Sequence, residues 1–174
     1  AFEQGIVHRD IKPANLLATR RSPAEPLTVK ILDFGLARFA SDTRDSGSLT
    51  AAHQIFGTVD FISPERARSA RSADTRSDIF SLGCTLFYLM TGKPPFKGET
   101  AMEKLTARIA DQPISLKELR PETPDELLPV IARMLAHDPA DRYQTPAEVA
   151  VALAPFAAAT ADNVEESTLT RRPE

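Results

Sequence analysis

The sequence predicts an α+β fold that is mainly helical, with a small β region at its amino-terminal edge. Three observations carry this. Short β-rich runs, "GIVH", "NLLAT" and "LTVKILDF", crowd into residues 5–39 and are bounded by Pro, Asp and Gly. A longer run, "DIFSLGCTLFYLMTG", is apolar on every face and reads as a buried central helix ending at Gly92. Two tetrapeptides, "TPDE" at 123–126 and "TPAE" at 145–148, each set Thr at the N-cap, Pro at N1 and Glu at N3 of a following helix.

The remaining segments follow in order. Residues 40–72 are rich in Ser, Thr, Asp, Arg and Gly with little periodicity, and a loop this long inside a compact domain is usually functional. An amphipathic segment at 100–110, with Met102, Leu105 and Ile109 along one side, supplies a further helix. From Ala157 onward the chain is small, polar and acidic, so 157–174 is expected to be a disordered tail or linker. No repeat of solenoid length is present.

Bulk properties narrow the function. A length of 174 residues suits one domain, and 42% hydrophobic with 26% charged residues is ordinary globular composition. A net charge of -3 argues against a nucleic-acid or anionic-membrane partner. The single Cys84 cannot form an intrachain disulfide, and its apolar setting suits a packed hydrophobe in a reducing compartment. The longest uncharged apolar stretch, Ile79 to Gly92, falls short of the roughly 20 residues of a membrane helix, and no basic-then-apolar leader is seen. The expected location is therefore cytoplasmic, with any membrane anchor of a longer protein lying outside this chain. His53 and His137 have no metal-ligand spacing and read as loop residues.

The chemistry concentrates in "HRDIKPANLL" at 8–17. Asp10 could take a proton from a hydroxyl, Lys12 could neutralise a transferring phosphoryl group, and Asn15 could offer an oxygen to a hard cation. Downstream, "DFG" at 33–35 ends a strand with a second carboxylate, Asp33. Two oxygen donors for Mg²⁺, a base and a cation suit phosphoryl transfer, where positioning and charge neutralisation do most of the work.

The ordered series "HRDIKPAN", "DFG" and "SPE" at 63–65 resembles the carboxyl-terminal lobe of a serine/threonine protein kinase. The wording "SDIFSLGCTLFYLMTGKPPF" and "ISPE" is closest to bacterial kinases of the eukaryotic-like type, and the resemblance extends over about residues 2–156. It implies a partial catalytic domain over 1–156, with a catalytic loop at 8–15 and an activation segment at 33–65. In that frame Asp10 resembles the catalytic base and Lys12 the phosphate-neutralising cation. Asn15 and Asp33 resemble the metal ligands, and Leu17 the residue beneath the adenine, so Lys12, Asn15, Leu17 and Asp33 form the nucleotide site for ATP with Mg²⁺ or Mn²⁺. Thr58 would bond back toward Asp10 and Lys12, Glu65 would pair with Arg142, and Asp78 would anchor the backbone around His8 and Arg9.

The implied reaction is transfer of the ATP γ-phosphoryl group to Ser or Thr of protein substrates in signalling, an acceptor class that Lys12 and Thr58 favour over tyrosine. The alternatives are a non-catalytic lobe that binds partner proteins and a small-molecule phosphotransferase sharing the His-x-Asp-x-x-x-x-Asn loop. Parts of a kinase are not in these residues. The seven glycines, at 5, 35, 47, 57, 83, 92 and 98, never form G-x-G. Lys30 lies three residues before Asp33, not upstream of "HRD", and does not match the ATP lysine. The ATP-clasping amino-terminal lobe is thus expected outside this chain, as a partner in cis, and the 174 residues alone are expected to be inactive. Val59 and Phe80 stand where many relatives carry Pro and Trp, and both keep apolar volume. Arg9 directly precedes Asp10, and kinases with this arginine are commonly switched on by phosphate between "DFG" and "SPE". Thr50, seven residues before Gly57, is the candidate phosphosite, with Ser48 as the nearby substitute.

Overall fold

In a computed structural model the described residues are 7–20, 22, 25, 27–32, 59–69, 73–110 and 112–168, with side chains as far as Ala157. A short 3₁₀ turn, Pro13–Asn15, leads into strand β1, Leu16–Thr19. Strand β2, Thr28–Ile31, pairs with it antiparallel, Leu16 opposite Ile31 and Thr19 opposite Thr28. Two of the three expected β runs thus form strands. In "GIVH", Val7 and His8 are irregular and the first two residues lie outside the described set. The reason is a competing acceptor: the His8 amide donates to the side chain of Asp78 at 2.6 Å instead of to a neighbouring strand.

Six helices follow among the described residues: α1 Pro64–Arg68, α2 Thr75–Thr91, α3 Ala101–Ala110, α4 Leu116–Leu119, α5 Leu127–Met134 and α6 Pro146–Thr168. Helix α1 breaks the loop expected over 40–72; Pro64 presets the first turn and Glu65 favours the helix N-terminus. Residues 40–58 lie outside the described set.

Helix α2 is the centre of the fold. Asp74 caps its start by accepting from the Arg76 amide at 2.8 Å. Gly92 ends it in the left-handed conformation, φ 70°, with its amide on Tyr88 O. A Cβ at Gly92 would meet nothing within 4 Å, so the requirement for glycine is conformational, not steric. Ile79, Phe80, Cys84 and Phe87 are buried in one cluster with Phe96, Leu116, Ile131, Met134, Tyr143 and Val149, which joins α2 to α4, α5 and α6. Burial pushes the Cys84 thiol up to about 12, which keeps it a hydrophobe and not a nucleophile. Contrary to the expectation of burial on every face, Tyr88 and Leu89 are exposed in the last turn of α2.

Two other expectations need correction. Helix α3 forms, but rotated: Met102 is 72% exposed while Ala107 and Arg108 are buried. Polar contacts set this rotation. Lys104 pairs with Asp60, and the fully buried Arg108 sets its guanidinium over the Phe96 ring. At 123–126 the capping box does not form. The Thr123 hydroxyl donates to Arg120 O, Lys117 holds both Thr123 O and Asp125, and α5 begins only at Leu127.

The box at 145–148 does form, with the Glu148 amide on Thr145 Oγ1 and the Gln144 amide on Glu148 Oε2. A third box, missed in the sequence, joins Thr100 and Glu103 at the start of α3. Helix α6 then continues past Ala157 to Thr168, in place of the disordered segment expected there; the Ala-rich stretch 157–161 has high helix propensity. Among the described residues no helix is long and apolar enough to cross a membrane.

Candidate active site

The loop that carries Asp10 is fixed from below by the first turn of α2. The amides of His8 and Arg9 donate to Asp78 Oδ2 and Oδ1 at 2.6 and 2.8 Å. Burial raises the Asp78 carboxyl, and these two N–H donors only partly offset it. Arg9 adopts φ 69°, a left-handed conformation unfavourable for a side-chain-bearing residue. Two contacts hold it there: the Asp78 bond at its amide and a bond from Arg66 Nη1 of α1 at its carbonyl. Asp78→Asn is expected to weaken the fold by about 1–3 kcal/mol, since one backbone N–H would then face an amide N–H. Thermal melts, together with faster exchange of the His8 and Arg9 amides, would show it; an unaltered melt and unaltered exchange would deny the anchor.

The His8 ring links the loop to β2. Its Nδ1 accepts from the Asp10 amide at 3.3 Å, and its Nε2 lies 3.1 Å from Leu32 O. This pattern requires the proton on Nε2. Leu32 is also held by Asn15, whose carbonyl accepts the Leu32 amide at 2.8 Å. Asp33 lies outside the described residues, but its chain neighbour is tied to both ends of the catalytic loop.

Asp10, Lys12 and Asn15 converge. Asp10 Oδ2 accepts from Lys12 Nζ at 2.8 Å and from Asn15 Nδ2 at 2.9 Å. Asn15 Nδ2 reaches Asp10 O as well, at 2.8 Å, so the amide oxygen of Asn15 is turned the other way. That oxygen suits a hard divalent cation, which takes oxygen donors. The side chains of Lys12 and Asp10 are 20% and 19% exposed, close to solvent yet mutually braced. Leu17 is exposed on β1, two residues beyond Asn15. Thr58, Thr50 and Ser48 lie outside the described residues.

Glu65 and Arg142 meet beside the first turn of α2. Arg142 Nη1 and Nη2 donate to Glu65 Oε1 and Oε2 at 3.0 and 2.9 Å, and Ser77 adds a hydroxyl to Oε1 at 2.6 Å. Three residues escaped the sequence reading. Arg66 braces Arg9 from 57 positions away, and Lys104 binds Asp60 across 44. No spacing rule reaches so far; the charge-rich "SPERAR" at 63–68 was the one visible hint.

Comparison with known proteins places this arrangement. The protein kinase domain matches residues 1–152. The chain is 38% identical over 149 residues to the serine/threonine-protein kinase PknB of Mycolicibacterium smegmatis, taking in 86% of this chain and 23% of that protein. It is 39% identical over 157 residues to a probable serine/threonine-protein kinase of Corynebacterium efficiens, taking in 88% of this chain and 23% of the relative. The crystal structure of the Rad53 kinase domain and SCD2 in complex with AMPPNP matches with a TM-score of 0.60 at 27% identity, covering 87% of this chain and 50% of that one. The chain belongs to the protein kinase domain family. It spans about a quarter of the length of these curated relatives.

Proposed function

We propose that the protein of which this chain forms part transfers the γ-phosphoryl group of ATP to Ser or Thr hydroxyls of protein substrates. The observation that carries this is the joint hold of Lys12 and Asn15 on the Asp10 carboxylate, in a loop that Asp78 pins from below. Asp10 takes the acceptor hydroxyl's proton as the oxygen attacks, and the pinned loop supplies its orientation. Lys12, within 2.8 Å of Asp10, balances charge on the moving phosphoryl group. Asn15 and Asp33 hold Mg²⁺ or Mn²⁺, which offsets negative charge on the phosphates. Leu17 lies under the adenine, and Thr58 braces Asp10 and Lys12.

The nucleotide's other wall comes from an amino-terminal lobe in cis. Leu17 is exposed on one face of the two-stranded sheet, where adenine is proposed to lie, and Leu27, Val29 and Ile31 are exposed on or beside the other, an apolar surface suited to packing against that lobe. The 174 residues by themselves, without a G-x-G loop, do not orient ATP and are inactive in this reading. In the whole enzyme, phosphate on Thr50 or Ser48 pairs with Arg9 and sets the activation segment at 33–65, where the protein substrate docks.

The test is to incubate the full-length protein with γ-labelled ATP, Mg²⁺ and casein, then identify the labelled amino acids. Phosphoserine and phosphothreonine are expected. No transfer would sink the activity, and label confined to phosphotyrosine would sink the acceptor class.

A further inference from the structure

Helix α3 turns two cations, one helical turn apart, toward the segment that precedes α1. Lys104 Nζ lies 2.9 Å from both Oδ1 and Oδ2 of Asp60, with side chains 15% and 17% exposed. Arg108, fully buried, donates to Lys104 O at 2.9 Å and lies over the Phe96 ring at 5.4 Å. Among the described residues no carboxylate bonds the Arg108 guanidinium, and the Asp60 charge opposes the burial that lowers its pKa. Asp60 therefore pairs with Lys104 in a setting where solvent screens weakly, and Arg108 ties into the pair through the Lys104 carbonyl.

The end of α3 that presents Lys104 is built to stay put. The Thr100–Glu103 capping box closes its first turn. Gly98, at φ 148°, runs so close that a Cβ there would come within 2.7 Å of the Lys104 amide nitrogen. Beyond Asp60, the Phe61 ring meets Tyr88 of α2 edge-on at 5.9 Å. Phe61, Ile62 and Arg66 line one small cleft with Arg9 and Asp10. A displacement of Asp60 is thus transmitted to side chains that border the catalytic loop.

We infer that Lys104 is a positioning residue: its ion pair with Asp60, backed by Arg108, clamps the segment carrying Phe61 and Ile62 beside Asp10 and so sets the affinity for protein substrate. The substrate half of this statement rests on the kinase reading above; the clamp itself does not.

The experiment uses the full-length protein and two variants, Lys104→Met and Asp60→Asn. Each should raise KM for a peptide substrate about tenfold, as expected for opening a half-buried charge pair, with kcat and KM for ATP within about twofold. In parallel, hydrogen exchange at the Ile62 and Ala67 amides should quicken while the amides of the α2 core keep their rates. Lys104→Arg should keep wild-type values on every measure. If peptide KM and exchange stay unchanged in a folded variant, or KM for ATP rises in step with that for peptide, the clamp is overturned. Strictly additive losses in the double variant would overturn it too. A wild-type protein that transfers no phosphate would fell the kinase reading instead, and exchange at Ile62 and Ala67 would still decide the clamp. Should Lys104→Met not fold, the near-isosteric Asp60→Asn decides by the same two readouts.

Discussion

Asp10→Asn in the full-length protein is expected to lower turnover about 10²–10⁴-fold, the usual scale for losing a general base, with the melting curve unmoved. The shape argument favours a clean result. The substituted amide still offers an oxygen to Lys12 and Asn15, which now contact Asp10 Oδ2. The loop's own attachments avoid the changed atom: Asp78 holds the amides of His8 and Arg9, and His8 takes the Asp10 backbone amide. What disappears is a group able to carry away the hydroxyl proton. KM for ATP should change little, because the proposed nucleotide contacts lie on Lys12, Asn15, Leu17 and Asp33, and the new amide oxygen still receives Lys12 and Asn15. Steady-state kinetics beside a thermal melt would decide. Turnover equal to wild type would remove Asp10 from the base's role, and a collapsed melt would make the residue structural.

How much of this was legible depended on distance along the chain. Lys12 and Asn15 stand two and five residues from Asp10, so a single loop brings all three together and their order can be read directly. The two strands β1 and β2 were legible for a similar reason, as β-rich runs bounded by turn-forming residues, whereas their antiparallel pairing came only from the structure. Asp78 lies 70 positions from His8, and its assignment rested on resemblance to a family, not on any local rule. Arg66 and Lys104 had neither support. Amphipathic periodicity also misjudged α3, since it ranks Met102 as an inward residue and Arg108 as an outward one. The structure reverses them because Arg108 is buried whole, with its guanidinium over Phe96 and bonded to Lys104 O. Capping grammar was sound at Thr145, was present but overlooked at Thr100, where Thr-Ala-Met-Glu fits the same pattern, and failed at Thr123, where a neighbouring lysine captured the backbone first.

Glu65→Ala is expected to destabilise the fold by about 3–5 kcal/mol, far more than it alters chemistry at Asp10. Arg142 is fully buried, and Glu65 is 14% exposed. All five guanidinium N–H groups of Arg142 are satisfied: Nε on Ala136 O, Nη1 on Glu65 and Arg76 O, Nη2 on Glu65 and His137 O. Phe80 stacks beneath the same group at 4.8 Å. Removing Glu65 would leave two buried donors and a full positive charge without an acceptor, a larger penalty than the pair's own attraction. Arg142→Ala should cost a comparable amount, and the double variant less than the two combined; strict additivity would mean that the residues are uncoupled.

Acid provides an independent reading of the same pair. Burial by itself would raise the Glu65 carboxyl, but hydrogen bonds from Arg142 and Ser77, together with the Arg142 charge, outweigh it and bring the value from 4.5 to about 2. A folded-state value below the unfolded one contributes stability above the unfolded value, and that contribution is lost as pH falls through the folded one. The pair's contribution should therefore be complete above about pH 4.5 and decline toward pH 2. Asp78, whose carboxyl burial raises, works with the opposite sign, so it cannot produce this loss. Denaturant melts of the wild type and Glu65→Gln across that window should converge as pH falls, because protonation makes the two side chains nearly alike. A gap that stays constant from pH 5 to 2 would show that the ionised Glu65 is not what holds Arg142 in place.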